Sequence, residues 1–336
     1  MFELAPRLLA VLDHGDPVVV ATAVAMSGSA PSGVGTSMAV LPGGRVVGTI
    51  SGGCVEGSLF VTAGQVLDDG VPVLERFGFD ADPDAEDPDA VGPDAVWAPA
   101  LRCGGRVEVL VRRVDPGDPA VDALRRAASG EPTSLALSLE PDSLGAVVSA
   151  PDRCRGRVFV ERADARPRCV VVGAVETAVA VTNAAAVLGY AVTVVDPRSV
   201  FLTDERFPAA DERIVGWPTR VLAGLPIDGT TAVVVLSHDD RFDAGVVDLA
   251  LRRGAGYVGA MGSRATHERR LAELVALGTP DLERLRSPIG LDIGAETPAE
   301  TALAVMAEVV AVRRGAPGGA LAGGAGPIHR HAVVAG

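Results

Sequence analysis

Apolar residues in the first part of the chain recur at spacings that change from helical to strand-like and back. The N-terminal leucines are spaced for one face of a helix, and Gly15 ends that pattern. The apolar run PVVVATAVA is typical of a buried strand, and TSMAVLPGGRVVGTI predicts a β-hairpin that turns at Pro42. The predicted elements are a helix at 4–15, a strand at 17–25, a hairpin at 36–50, a helix at 54–70, a strand at 106–114, and a helix with weaker strands at 115–165. This mixture predicts an α+β domain.

From Arg166 onward, strand-like and helical runs alternate. Strands are predicted at 168–174, 190–199, 211–217, 231–240 and 255–264, and helices at 175–189, 244–254, 266–278 and 297–315. The last helix begins with Thr297 and Glu300 at capping-box spacing, and Pro298 takes the first helical position. Regular alternation of this kind predicts a parallel, doubly wound sheet.

The whole pattern therefore predicts an α/β chain with two domains and a tail. The boundaries are an N-terminal α+β domain at 1–165, a Rossmann-like doubly wound parallel-sheet domain at 166–315 and a flexible tail at 316–336. An acidic, proline-containing stretch at 80–94 predicts a solvated loop inside the first domain. The apolar stretch at 174–195 is interrupted by Glu176, Asn183 and Gly189, so it predicts a helix followed by a strand and not a membrane span.

Charge and cysteine content narrow the function classes. The net charge of −13 argues against binding to nucleic acids or anionic membranes. The chain contains no lysine, which excludes a Schiff-base lysine and a phosphate-loop lysine. Its four cysteines form no C-x-x-C pair, so neither a disulfide framework nor a structural zinc site is predicted. With no targeting segment expected, the predicted location is the cytoplasm.

The first turn of the Rossmann-like domain departs from the dinucleotide fingerprint. Where that fold requires G-x-G-x-x-G, the chain has Gly173 followed by AVETA, so Val175 replaces the glycine that lets the backbone approach a pyrophosphate. Glu176 adds a negative charge nearby. Asp196 ends the second strand, where an acid holds a ribose, and Arg198 is placed to favour a 2′-phosphate. These positions predict either a nucleotide or other ligand site, or a scaffold that binds none.

Two further candidate segments lie at the carboxyl ends of predicted strands of the same sheet. One contains His238, directly after a buried apolar run, and the other contains Ser263 and Arg264. Ligands of doubly wound sheets bind at the carboxyl ends of the strands, which makes these residues candidates for contact with a nucleotide or a substrate. The alternative is an exposed histidine beside a helix-capping aspartate. A third loop, at 288–300, predicts either a ligand contact or a tight turn.

Several motifs occur in one order along nearly the whole chain. They are GSAP at 28–31, GRVVGTISGGCVEG at 44–57, CGGRVEVLV at 103–111, VVDPRSVFLTDERFPAADERIV at 194–215, VLSHDDRFD at 235–243, YVGAMGSRATHERR at 257–270 and SPIGLDIGAETPAE at 287–300. In these motifs the chain resembles the XdhC/CoxI family of xanthine dehydrogenase accessory factors. Many relatives have G-A-G-H after the first Rossmann strand, where this chain has G-A-V-E.

The resemblance implies a cytoplasmic maturation factor with an XdhC/CoxI-type N-terminal domain. Such a factor binds the molybdenum cofactor (molybdopterin) and helps it to receive a terminal sulfido ligand from a cysteine desulfurase. It then delivers the cofactor to a molybdenum hydroxylase of the xanthine dehydrogenase type, acting as a chaperone and not as part of the finished enzyme. A homodimer is expected, as the commonest assembly of such chains.

Given that resemblance, the glycine-rich stretch suggests where the cofactor binds. Gly52 and Gly53 lead into a predicted helix whose first turn contains Cys54 and Glu56, so consecutive backbone N–H groups are expected to bind the cofactor's phosphate. A helix N-terminus favours a thiolate, which is a soft ligand suited to molybdenum.

A second cysteine stands beside open backbone in the same way: Cys103 is followed by Gly104 and Gly105. We hypothesise that Cys54 and Cys103 lie close together and touch the cofactor near its metal; the alternative is that both are small buried packing residues. For Cys154 and Cys169 packing is the favoured interpretation.

Two other functions remain open from the sequence. An NAD(P)-dependent oxidoreductase would bind its nucleotide at Asp196 and use His238 or a cysteine as the acid–base group, although the altered glycine fingerprint weighs against it. A protein-interaction adaptor would bind neither molybdopterin nor a nucleotide.

Overall fold

The structure is a computed structural model that describes residues 1–27, 33–78, 106–151 and 156–323. It contains two compact units, of which the first ends at Ala165 and the second begins at Arg166. The acidic stretch 80–94, the end of the tail and the cysteines Cys103 and Cys154 lie outside the described residues.

The first unit is built on an antiparallel sheet of five strands in the order β3-β2-β1-β5-β4. Its elements are α1 (Ala5–Leu12), β1 (Val18–Ser27), β2 (Ser37–Leu41), β3 (Arg45–Gly48), α2 (Glu56–Asp69), β4 (Val73–Phe77), β5 (Arg106–Val114), α3 (Ala120–Ala128), β6 (Thr133–Ser138) and β7 (Val158–Ala163). Strands β6 and β7 pair separately as a second, two-stranded sheet. The predicted hairpin is confirmed as β2 and β3.

Strand β1 is a continuous apolar run because both of its faces are buried. Val18 and Val20 pack into one core with residues of α1 and α3, whereas Val19 and Ala21 pack into the opposite core with residues of α2. Side chains alternate along a strand, so a central strand covered on both sides has no polar face. Helix α2 packs on the Val19 and Ala21 face of the sheet, where Leu59 is fully buried.

The second unit is a parallel sheet of six strands in the order β10-β9-β8-β11-β12-β13. Its elements are β8 (Arg168–Val172), α4 (Glu176–Val187), β9 (Ala191–Asp196), β10 (Glu212–Val215), α5 (Pro218–Gly224), β11 (Ala232–Val235), α6 (Asp243–Arg252), β12 (Tyr257–Ala260), α7 (Arg264–Ala276), β13 (Leu285–Arg286) and α8 (Pro298–Arg314). Helices α4 and α8 cover one face, and α5, α6 and α7 cover the other. The predicted doubly wound fold is confirmed, and its topological switch point lies between β8 and β11.

Some local predictions hold and others need correction. The capping box of α8 is present in both directions between Thr297 and Glu300. The helix predicted from Cys54 begins instead at Glu56. The sequence pattern also missed the strand β4, the short helix α5 and the two-residue strand β13. Among the described residues, no helix combines the length and apolarity that crossing a membrane requires.

Candidate functional site

The segment between β3 and α2, which we call the 49–55 loop, contains two glycines in left-handed backbone conformations. Gly52 has φ +75° and Gly53 has φ +123°. An added Cβ would meet no atom within 4 Å at either position, so the backbone angle, and not space, is what favours glycine there. These angles turn successive N–H groups of the loop towards one point.

That point is occupied by the carboxylate of Glu56, the first residue of α2. The distances to its oxygens are 2.9 Å from the Ile50 amide, 2.8 Å from Ser51, 3.1 Å from Gly52, 2.9 Å from Gly53, 3.2 Å from Val55, 2.5 Å from the Thr49 hydroxyl and 2.7 Å from the Ser51 hydroxyl. The loop amides converge on one anion, but that anion is the side chain of Glu56. The N–H groups expected to bind a phosphate are hydrogen-bonded to a side chain of the same chain.

These contacts set the ionisation of Glu56. Burial raises the pKa of this carboxyl, but hydrogen bonds from the Ser51 and Thr49 hydroxyls and from the loop amides outweigh burial. The pKa of Glu56 therefore lies far below its usual range, and the carboxylate is ionised throughout the neutral range.

Replacing the carboxylate is expected to destabilise the first unit in a pH-dependent way. Glu56→Gln keeps the shape but turns an NH₂ group towards amide donors, so we expect a loss of about 2 kcal/mol at neutral pH. Because the folded-state pKa is lowered, the wild-type advantage is present above the unfolded pKa of about 4.3 and is lost as the pH falls below it. Chemical unfolding of both proteins at several pH values measures this; a difference that does not shrink in acid would contradict it.

Cys54 lies at the end of the loop, before the helix. Its backbone N–H donates to the Ser51 hydroxyl at 2.9 Å, and its half-buried side chain packs at the margin of the core under α2. Among the described residues, no group of three or more His, Cys, Asp or Glu side chains is arranged to hold a metal ion. The backbone that carries the thiol is therefore held by the hydrogen bond to Ser51.

The described strands bring the borders of two other motifs together. Ser27, the last described residue before the GSAP motif, pairs with Arg106, the first described residue of the motif that begins at Cys103. Met26 and Val107 pack against the same core as Cys54. Because Cys103, Gly104 and Gly105 lie outside the described residues, their proximity to Cys54 stays a prediction.

The second candidate region is the sheet edge, by which we mean the residues following β8, β9, β11 and β12 at their carboxyl ends. Gly173 has φ +102°, and a Cβ added there would lie 2.7 Å from Ser237 Cα. The loops after β8 and β11 therefore touch backbone to backbone at the topological switch point. This close contact explains why the first fingerprint glycine is present although the second is absent.

Asp196 lies at the end of β9, as expected, but its carboxylate is bound by other groups of the same chain. It is 1% exposed and accepts hydrogen bonds from the Ala174 amide at 2.6 Å and from the Arg198 guanidinium at 2.8 and 2.9 Å. Burial raises the pKa of this carboxyl, but Arg198 and the Ala174 amide outweigh burial and lower it. The acid expected to hold a ribose and the arginine expected to favour a 2′-phosphate are thus bound to each other.

Contacts within the chain also hold the N-terminus of α4. Glu176, in the first turn of α4, forms an ion pair with Arg206. Arg206 also donates to the carbonyl oxygens of Ala174 and Phe201, at 3.1 and 2.7 Å. The loop that contacts pyrophosphate in dinucleotide-binding proteins is therefore held by one side chain, Arg206, from the segment after β9.

His238 and Ser263 have different positions at this edge. His238 is exposed and has φ +52°, a left-handed angle that is uncommon outside glycine. Ser263 caps α7 by accepting a hydrogen bond from the Thr266 amide at 3.2 Å, and Arg264 is the exposed first residue of that helix. Ser263 thus has a structural role as the cap of α7.

A buried ion pair that the sequence pattern did not indicate lies next to this edge. Asp243 and Arg270 are 3% and 5% exposed, with 3.6 Å between carboxylate oxygen and guanidinium nitrogen. Asp243 also accepts hydrogen bonds from the Ser237 hydroxyl and the Asp239 amide. One signal was available: Arg270 is four residues before the buried Leu274, on the same face of α7.

Family models match both units of the chain. The model of the XdhC Rossmann domain matches residues 169–309, and the model of the XdhC and CoxI family matches residues 11–78. The two matches together span more than half of the sequence. The chain belongs to the XdhC and CoxI family.

Two curated relatives of this XdhC/CoxI-family chain align over most of its length. A Bacillus subtilis (strain 168) protein, named as a probable subunit of xanthine dehydrogenase, is 28% identical over 334 residues, 91% of this chain and 96% of that protein. The molybdenum cofactor insertion chaperone PaoD of Escherichia coli (strain K12) is 29% identical over 308 residues, 90% of this chain and 85% of that protein.

A solved structure has the same fold. The crystal structure of a xanthine dehydrogenase from Bacillus halodurans has a TM-score of 0.75 at 24% identity, covering 94% of this chain and 96% of that one. The XdhC/CoxI match at 11–78 contains the 49–55 loop, and the Rossmann match at 169–309 contains the sheet edge.

Proposed function

We propose that this XdhC/CoxI-family chain is an accessory protein that binds the molybdenum cofactor and assists its sulfuration and insertion into a molybdenum hydroxylase of the xanthine dehydrogenase type. The observation that carries the proposal is the alignment with PaoD, named a molybdenum cofactor insertion chaperone, which extends over 90% of this chain and includes both units. The name of the Bacillus subtilis relative supports the same target class.

Within the proposal, Cys54 is the residue that contacts the metal end of the cofactor. Its thiol is half-buried at the end of a loop whose amides from Ile50 to Val55 are all hydrogen-bonded, so the backbone beside the sulfur is fixed. A thiolate is a soft donor suited to molybdenum. When bound, the cofactor supplies the molybdenum centre and its terminal ligands. Cys103, with Gly104 and Gly105, is proposed to complete the site.

The amides of Gly52 and Gly53 fit the cofactor's phosphate less well than the sequence indicated. A phosphate on those amides would have to take the place of Glu56, which accepts five N–H and two O–H hydrogen bonds in the loop. We therefore propose that the 49–55 loop contributes the thiol and that other residues contact the phosphate.

Partners and location follow from the same proposal. A cysteine desulfurase would supply the sulfur for the terminal ligand, and a xanthine-dehydrogenase-type enzyme would receive the cofactor, in the cytoplasm. A homodimer is the assembly we propose for the chain itself.

The alternative function, an NAD(P)-dependent oxidoreductase, has less support from the sheet edge. Its ribose-binding acid, Asp196, is buried against Arg198, and the loop beside Glu176 is held by Arg206. A tightly bound NADPH or NADH in a fluorescence titration would favour this alternative over the chaperone.

An insertion experiment tests the proposal. A xanthine-dehydrogenase-type hydroxylase is expressed with and without this chain, in cells with an intact molybdopterin pathway, and its activity and molybdenum content are measured. We expect an enzyme of normal abundance but low activity when the chain is absent, because insertion and not synthesis is affected. Equal molybdenum content and activity with and without the chain would contradict the proposal.

A further inference from the structure

The 49–55 loop has no free backbone donor in its central part. Between Ile50 and Val55, five of the six amides donate to the Glu56 carboxylate. The sixth, that of Cys54, donates to the Ser51 hydroxyl, which itself donates to Glu56 at 2.7 Å. Every backbone N–H from 50 to 55 is thus bound directly or through one hydroxyl to a single carboxylate.

We infer that Glu56 is the permanent anion of the 49–55 loop and a positioning residue for Cys54, and that it excludes external anions from these amides. The inference deepens the proposed function, on which it rests for the role of Cys54. Glu56 acts indirectly, because the carboxylate holds the backbone that carries the thiol and does not itself contact the cofactor.

The position of Glu56 in the fold keeps its carboxylate bound to the loop amides. It is the first residue of α2, a helix fixed to the sheet by the buried Leu59, Ala63 and Val66. A carboxylate on such a support is present at a high effective concentration, so a free anion competes poorly with it. A negative charge is also favourable at this end of a helix.

Charge gives a second reason for exclusion. The carboxylate is held in its ionised form by the loop, and a phosphate next to it would meet a like charge. Displacing Glu56 would place its charge elsewhere and would break contacts to two hydroxyls as well as five amides. Such an exchange loses as many hydrogen bonds as the phosphate can gain.

The consequence concerns the thiol. Cys54 follows two left-handed glycines, and such a backbone has many accessible conformations when it is not held. With Glu56 in place, the sulfur has one position at the margin of the core. Without it, the loop opens locally and exposes the thiol, although α2 and the sheet remain folded.

Site-resolved alkylation of Cys54 by iodoacetamide, read by mass spectrometry in the absence of cofactor, tests the inference. We expect Glu56→Ala and Glu56→Gln to raise the alkylation rate by about tenfold, the equivalent of about 1.4 kcal/mol of opening free energy. Sodium formate is expected to lower the rate in Glu56→Ala towards the wild-type value, since it refills the loop, whereas sodium chloride at equal ionic strength is not. In the wild type, neither formate nor inorganic phosphate should change the rate.

A matched control separates positioning from general stability. Glu161 is another buried carboxylate of the first unit, which binds the N-terminal amine and the Phe2 amide. Glu161→Gln should lower the unfolding temperature and leave the Cys54 rate unchanged.

Wild-type alkylation rates in both Glu56 variants, or protection of the wild-type thiol by phosphate, would overturn the inference. If Glu56→Ala fails to fold, the alkylation rate of Glu56→Gln and the effect of phosphate on the wild-type rate still test the inference. The experiment is independent of the proposed function: alkylation can depend on Glu56 even if insertion does not require Cys54.

Discussion

Arg270→Ala is expected to destabilise the second unit by about 3 kcal/mol, because it leaves the carboxylate of Asp243 buried without its cation. Arg270 also donates to the Ser287 hydroxyl and the Met261 carbonyl, at 3.1 and 3.0 Å, and so connects α7 to the ends of β12 and β13. Arg270→Met keeps much of the volume, and a similar loss in that variant would assign the effect to the charge.

The neighbouring residue supplies the control. Arg269 pairs with Asp240 on the surface, with both side chains more than half exposed, so Arg269→Ala should cost less than about 1 kcal/mol.

The pH dependence of the Arg270→Ala defect gives a further check. Burial raises the pKa of Asp243, and Ser237 and Arg270 lower it in part. Removing Arg270 raises the pKa further, and because a raised folded-state pKa favours folding at low pH, the deficit should grow as the pH rises. Equal losses for Arg269→Ala and Arg270→Ala, or a deficit that is constant with pH, would show that the buried pair is not what holds this edge.

Gly173→Ala is expected to cost about 3 kcal/mol, from two additive causes. The left-handed angle costs about 1 kcal/mol for any residue with a Cβ. In addition, the new atom would lie 2.7 Å from Ser237 Cα and 2.8 Å from Ser237 N, and backbone atoms of a neighbouring loop cannot rotate away.

Gly189 separates the two causes. It has φ +82°, and an added Cβ meets no atom within 4 Å, so Gly189→Ala should show the conformational cost alone. Chemical unfolding of both variants measures the difference. If Gly173→Ala cost no more than Gly189→Ala, the two loops would not be in backbone contact at the switch point.

The sequence predicted the architecture because both units follow simple hydrophobic periods. Alternating buried strands and helices after Arg166 permit few arrangements other than a doubly wound sheet. The elements that were not predicted, β4, α5 and β13, are too short for a hydrophobic period to show. The capping box of α8 was predictable because Thr297 and Glu300 carry it in four consecutive residues.

The site was predicted less completely, because the sequence does not show which groups bind each other by hydrogen bonds. Glycine spacing indicated that amides of Gly52 and Gly53 converge, but an anion from solution and an anion from the chain produce the same pattern. Glu56 was identified as a site residue, but its role as the anion bound by the loop was not predicted. A carboxylate that binds the preceding loop leaves no periodic pattern in the sequence. Likewise, the position of Asp196 fits the ribose-binding acid of a dinucleotide fold, and only its contacts with Arg198 and Ala174 show that it is engaged.

Cofactor retention by the purified chain tests the central claim most directly. Wild type, Cys54→Ser and Cys169→Ala are produced in cells with an intact molybdopterin pathway, and molybdenum and pterin are measured per chain. Cys169 is the matched control because it is fully buried in the second unit, where burial raises its pKa to about 12 and keeps the thiol neutral. We predict that wild type and Cys169→Ala retain both components and that Cys54→Ser loses most of them. Equal retention by Cys54→Ser, or no pterin on the wild-type chain, would contradict the account.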